Sequence, residues 1–71
     1  MANSVYRVTE IVGTSSESWE AATRTAVETA STTLRDLRIA EVVRLDVTID
    51  DGRVATYRAR LNVSFKYEGG D

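Results

Sequence analysis

Ile49-Asp50-Asp51-Gly52-Arg53-Val54 is the stretch on which the reading of this chain turns. Asp-Gly between two β-rich runs is a strong two-residue hairpin signal, because a type I′ turn needs positive φ at both central positions and these residues tolerate it. The flanking runs, Arg38 to Ile49 and Arg53 to Tyr67, are rich in Val, Ile, Leu, Thr and Tyr. A turn centred on Asp51-Gly52 then sets the register, with Ile49 expected opposite Val54, Asp46 opposite Tyr57, Leu45 opposite Arg58 and Val42 opposite Leu61. Ala40, Val42, Tyr57, Ala59, Leu61, Val63 and Phe65 fall on one apolar face. Ile39, Glu41, Val43, Leu45, Val47 and Ile49 fall on the other, beside Thr56, Arg58, Arg60, Asn62 and Ser64.

Upstream of the hairpin, Val5 to Val12 is mostly β-branched or aromatic and stops at Gly13, a strand of ordinary length. Thr14-Ser15-Ser16-Glu17 comes next with the spacing of a capping box, Thr14, Ser15 or Ser16 being the candidate N-cap. Trp19, Ala22, Ala26, Ala30, Leu34 and Leu37 recur at steps of three or four, which predicts a helix of about five turns with a mostly alanine stripe. The order is β-α-β-β. A right-handed crossover leaves the middle of the sheet for the last strand. The expected fold class is therefore α+β, a three-stranded antiparallel sheet in the order one, three, two, wrapped around one helix. Residues 1–71 read as a single domain, with 68–71 as a frayed tail.

Composition narrows the chemistry. The chain has 71 residues and contains neither Cys nor His, which removes zinc sites, thiol nucleophiles and imidazole acid–base catalysis. Nine basic against eleven acidic residues give a net charge of −2, not the footprint of a nucleic-acid binder. No apolar run approaches the roughly 20 residues of a membrane span, and Met1 to Tyr6 lacks the basic and apolar regions of a signal peptide, so a cytoplasmic protein is expected. No motif assembles carboxylates with a nucleophile or a phosphate loop, and the chain does not read as an enzyme. At this length core burial and ordering entropy nearly cancel, so partner subunits are expected to supply the missing stability.

The outward aliphatic row fits that need. Val43, Leu45 and Val47 are the expected oligomer interface, because a contiguous apolar patch in water marks a contact surface. Ile39, Glu41, Arg58 and Arg60 share that face and form the candidate ligand-binding set, since symmetry copies can gather single charges into a cluster. The simpler reading is a structural salt bridge between Glu41 and Arg60. Trp19, the first core position of the helix, reads as packing rather than a stacking platform. Asp50-Asp51 reads as turn chemistry rather than a cation site.

Val5-Tyr6-Arg7-Val8, Ile11-Val12-Gly13-Thr14-Ser15, Ser18-Trp19-Glu20-Ala21-Ala22, the segment Leu34 to Val42, and Asp51-Gly52-Arg53 leading to Tyr57 and Val63-Ser64-Phe65 together resemble the dodecin family along essentially the whole chain. The resemblance implies a hollow homododecamer that binds a small ligand without catalysis, flavin in most members. The flavin apparatus departs from the family's pattern. The stacking Trp position is Ile39, the following aromatic is Ala40, the Gln that reads the ring edge is Arg58, and the Arg-Gly pair is Asp46-Val47, while Glu41 is kept. Thr56-Tyr57-Arg58 and Val63-Ser64-Phe65-Lys66 instead look like the calcium dodecins, in which an aliphatic takes the Trp position. Calcium is the implied ligand, with Asp46 and Glu41 as candidate metal ligands completed by carbonyls, waters or symmetry copies, because hard cations take six to eight oxygens. The alternatives are a dodecin that sequesters FMN or riboflavin, and a purely structural assembly without a physiological ligand.

Overall fold

Asp51 and Gly52 both adopt positive φ, 54° and 75°, so the expected type I′ turn joins the two long strands. The structure is a computed structural model and describes residues 3–66. Its elements are β1 (Tyr6–Ser15), α1 (Trp19–Ala30), β2 (Leu37–Asp50) and β3 (Arg53–Lys66). The sheet order is β1-β3-β2, antiparallel throughout, as the crossover argument requires. Tyr67 and the tail 68–71 lie outside the described residues.

The helix starts and ends differently from its sequence expectation. Ser18, not an earlier hydroxyl, is the N-cap, its Oγ accepting from the Ala21 amide at 3.0 Å, while Ser15 Oγ accepts from the Glu17 amide in the preceding turn. The helix stops at Ala30 rather than running to Leu37. Ser31, Thr32 and Thr33 end it: their hydroxyls donate to the carbonyls of Val27, Thr29 and Ala30, and the Thr32 and Thr33 amides tighten to partners three residues back. Asp36, at φ 58°, then turns the chain into β2.

Burial follows the predicted alanine stripe. Ala22 and Ala26 pack with Ala59, Leu61 and Val63 of β3, Ala30 is buried at the end of the helix, and Ile11, Val27, Leu34 and Leu37 close the margins of this core. Gly13 makes the close approach possible, because its missing side chain leaves room for the backbone of Ala22 and the Ala26 methyl.

The hairpin register departs from a simple two-residue alternation. Ile49 pairs with Val54 and Val42 with Leu61, as expected, but between them Asp46 pairs with Arg58, Leu45 with Ala59 and Val47 with Tyr57. The ladder shifts between Thr48 and Ile49, where β3 carries the additional Ala55, and shifts back between Val42 and Arg44, where β2 carries the additional Val43. Each extra residue inverts the facing of the strand segment beyond it. Ala40 and Val42 therefore share the helix side with Val63 and Leu61, and so do Leu45 and Val47 with Ala59 and Tyr57. The outer face carries Ile39, Glu41, Arg44, Asp46 and Thr48 on β2. This corrects the expected outward row of Val43, Leu45 and Val47.

The hairpin also outruns the helix, so the subunit is elongated at 54 × 20 × 16 Å. Its radius of gyration is 14.7 Å, where a compact chain of this length has about 11 Å. It exposes 5403 Å², against about 4,400 Å² for a compact monomer of its mass.

Candidate functional site

The outer face of the sheet gathers the charged residues that the sequence singled out. Every second residue of β3 points away from the buried Ala59, Leu61 and Val63, so Arg58, Arg60, Asn62 and Ser64 lie outward with their partners Asp46, Arg44, Glu41 and Ile39. All four candidate ligand residues, Ile39, Glu41, Arg58 and Arg60, thus share one face.

Asp46 and Arg58 form a two-pronged ion pair at its centre. Arg58 Nε donates to Asp46 Oδ1 at 2.7 Å and Nη2 to Oδ2 at 3.2 Å, with both side chains half-exposed. The Arg58 hydrogen bonds hold the Asp46 carboxyl below its ordinary 3.8, partial desolvation opposes this, and the charges of Arg58, Arg60 and Arg44 reinforce it. The same contact raises Arg58. Arg60 does not reach Glu41; its Nη1 donates to Glu10 Oε1 on β1 at 3.4 Å.

From the helix side, Trp19 reaches the same spot. Its Nε1 donates to the Asp46 backbone carbonyl at 3.0 Å, and its ring meets Tyr57 edge-on with centroids 5.2 Å apart. Trp19 is not the core position expected of it, being 37% exposed and outside the core cluster, but it packs edge-on against Tyr57 and pins the strand that carries Asp46. Nearer the tip, Thr48 and Thr56 hydroxyls share a hydrogen bond and the Thr56 amide donates to Thr48 Oγ1, capping the distortion around Ala55.

The two candidate metal ligands do not converge within one subunit. Glu41 and Asp46 share a face but stand five residues apart along β2, roughly 15 Å at ~3.3 Å per residue. Both carboxylate oxygens of Asp46 already accept from Arg58. Among the described residues no group of three or more acidic side chains is placed to hold a metal ion. A hard cation on this face would therefore have to complete its shell with carbonyls, waters or groups of a second copy. Ile39 stands exposed beside a shallow groove bordered by Val27, Leu37, Arg38, Ala40 and Val63, a lining with no ring to stack on a flavin.

Arg44, Glu10 and the Trp19–Asp46 contact are participants that sequence reasoning passed over. One signal was present for Arg44: the adjacent pair Val42-Val43 interrupts the apolar alternation and moves the inward parity from Ala40 and Val42 to Leu45 and Val47. Glu10 faces Asn62 across β1 and β3, a pairing between strands whose relative register no turn specifies.

A short β1, a helix seated on glycine and alanine, and a long distorted hairpin with charges on its outer face define a dodecin subunit, and the chain belongs to the dodecin family, whose model matches residues 5–68. Its relatives include a calcium dodecin of Mycobacterium tuberculosis, 46% identical over 63 residues that span 89% of each chain. A dodecin of Thermus thermophilus is 42% identical over 64 residues, 90% of this chain and 93% of the relative. Among solved structures, dodecin from Streptomyces coelicolor superposes with a TM-score of 0.90 at 44% identity, covering 99% of this chain and 100% of that one. The crystal structure of the Mycobacterium tuberculosis calcium dodecin, described as having a novel calcium-binding site, gives 0.82 at 43% identity over 96% of this chain and 97% of that one. No helix among the described residues is long and apolar enough to cross a membrane.

Proposed function

We propose that the whole chain, residues 1–71, acts as one subunit of a hollow homododecamer that holds a small ligand in its subunit seams, without catalysis, and that this ligand is of the calcium type rather than a flavin. The observation that carries the assembly is the surface: the subunit exposes about 1,000 Å² more than a compact monomer of its mass, with Ile39, Val42, Val43, Leu45 and Ile49 all exposed on one edge strand. Val43 and Leu45 stay within the proposed contact surface, and half-buried Val47 lies at its margin.

Three features support calcium over flavin. Ile39 offers no stacking ring. Arg58, in place of a neutral amide, is tied to Asp46. A relative at 46% identity is named calcium dodecin. In the assembled particle Glu41 and Asp46 lie with Arg58, Arg60 and Ile39 along the seam, and several copies together supply the oxygens that one subunit lacks.

Two measurements test this. Native mass spectrometry is expected to give about twelve times the 7.8 kDa chain mass; a stable monomer refutes the shell. Calorimetric titration of that particle with Ca²⁺, FMN, riboflavin and coenzyme A is expected to give heat with Ca²⁺ and none with the flavins. Yellow protein that binds FMN overturns the calcium reading, and silence with all four leaves a structural assembly.

A further inference from the structure

Around the middle of the outer face, four charged side chains are matched within the subunit: Asp46 with Arg58, and Glu10 with Arg60. Glu41 and Arg44 are not; among the described residues neither side chain makes a hydrogen bond or an ion pair, although the Arg44 charge is felt at Asp46. Arg44 stands directly opposite Arg60, like charge facing like charge; Glu10 bonds Arg60 and the Asp46 carboxylate lies within the field of both, but no carboxylate bonds Arg44 among the described residues. Residues three apart on a regular strand point to opposite faces. Here the additional Val43 between them brings Glu41 and Arg44 to the same face, opposite Asn62 and Arg60. Between the two charges lie Val42 and Val43, 46% and 44% exposed. Among the described residues β2 pairs only with β3, so its other edge is free.

Glu41-Val42-Val43-Arg44 is thus complementary to itself when read backwards. We propose that this free edge docks antiparallel against the same edge of a second copy, about a two-fold axis that passes midway between the two Val42–Val43 peptides, so that Glu41 of each chain meets Arg44 of the other. A two-fold contact is self-complementary, residue i meeting j wherever j meets i, and this centring sets 41 against 44 and 42 against 43. Both ends of each bridge lie on the outer face, and the four half-exposed valines lie at the centre of the strand contact. The occupant is a copy of this chain because the chain itself carries both halves of the charge pattern. The proposal rests on the self-assembly reading and names the side chains that one of its seams uses. One Glu41 oxygen on Arg44 leaves the other open to the seam, so the contact is compatible with a ligand there.

Charge reversal tests it. Glu41→Arg and Arg44→Glu, made singly, should each reduce the particle mass seen by native mass spectrometry, and the double variant carrying both should restore it, because the reversed pattern is again self-complementary. Single variants that keep the full mass, or a folded double variant that stays dissociated, overturn this contact while leaving the shell intact. A monomeric wild-type chain removes the assembly itself. Val43→Cys gives a readout independent of these charges in a chain with no cysteine of its own. The two copies of that position lie within disulfide reach across the proposed axis. Mild oxidation should convert most chains to a covalent dimer, and failure to cross-link refutes the contact.

Discussion

Replacing Gly13 by alanine probes how closely the helix sits on the sheet. A Cβ at that position falls on the carbonyl oxygen of Ala22, 2.7 Å from the Ala26 Cβ and 3.2 Å from the Ala22 carbonyl carbon. None of these atoms is the end of a flexible side chain, so no rotamer change makes room. Either α1 lifts from β1 or β1 bends, and both strip contacts from Ala22, Ala26 and Ala59. Overpacking a core site costs about 1–3 kcal/mol and sometimes more. With backbone as the obstacle and a core built on alanine, the expected cost is at the top of that range, about 3 kcal/mol. Each kcal/mol moves the Tm of a chain this size by roughly 4–8 °C, so the variant should melt at least about 12 °C lower. Gly52→Ala is the control. Nothing lies within 4 Å of its Cβ and its φ is 75°, so only the left-handed backbone penalty of about 1–2 kcal/mol applies. Adding Ala26→Gly to Gly13→Ala removes the methyl but not the Ala22 carbonyl, and should recover a minor part of the loss. The assay is thermal and urea unfolding by circular dichroism at matched chain concentration, because the melting of an assembling protein depends on concentration. If Gly13→Ala loses no more stability than Gly52→Ala, the close seating of helix on strand is wrong.

Ser18→Ala removes the side-chain acceptor of the Ala21 amide and should lower stability by about 1 kcal/mol, read as a shift of the urea midpoint. Trp19→Phe keeps the edge contact with Tyr57 but loses the hydrogen bond to the Asp46 carbonyl, an expected cost of about 1 kcal/mol in the same measurement; no loss would show that the indole does not pin β2. Asp46 has a folded pKa held below 3.8, so its stabilising contribution is complete above that value and fades as pH falls through the lower folded one. Asp46→Asn should therefore flatten the acid limb of the stability profile below about pH 4 and leave its shape at neutral pH unchanged; an unchanged acid limb refutes the ion pair's role.

Local chemistry was readable in the sequence and long-range phase was not. Asp51-Gly52 announced its turn because positive φ at two successive residues is demanded by that turn alone. Ala22, Ala26 and Ala30 announced the buried stripe through helical spacing, and the strand order came from the handedness of one crossover. The helix end escaped notice because Leu34 and Leu37 continue the spacing past Ser31-Thr32-Thr33, and hydroxyls that bond the backbone do not alter a hydrophobic period. The outer face was misread for the same kind of reason. Ile39, Glu41, Arg58 and Arg60 were placed there correctly, but Leu45 and Val47 were not, since Val43 and Ala55 disturb an alternation that the turn alone leaves regular. Arg44 was missed with them. The Trp19 contact joins residues 27 apart and carries no local signature.

The surplus valine gives β2 two rules of substitution. From Ile39 to Val42 an even number means the helix side; beyond position 43, an odd number does. Drawing that residue into a regular ladder without removing it would turn the distal half of the strand over, rolling Leu45 and Val47 toward solvent and driving Arg44 and Asp46 to the side of Tyr57 and Ala59, whereas deleting it would leave Val42 and Arg44 as regular neighbours with every facing unchanged. Chain length, which most proteins adjust freely only in their loops, thus has one tolerant position in mid-strand: the surplus residue can go without consequence for the faces, while an insertion or deletion at a regular rung shifts every side chain beyond it.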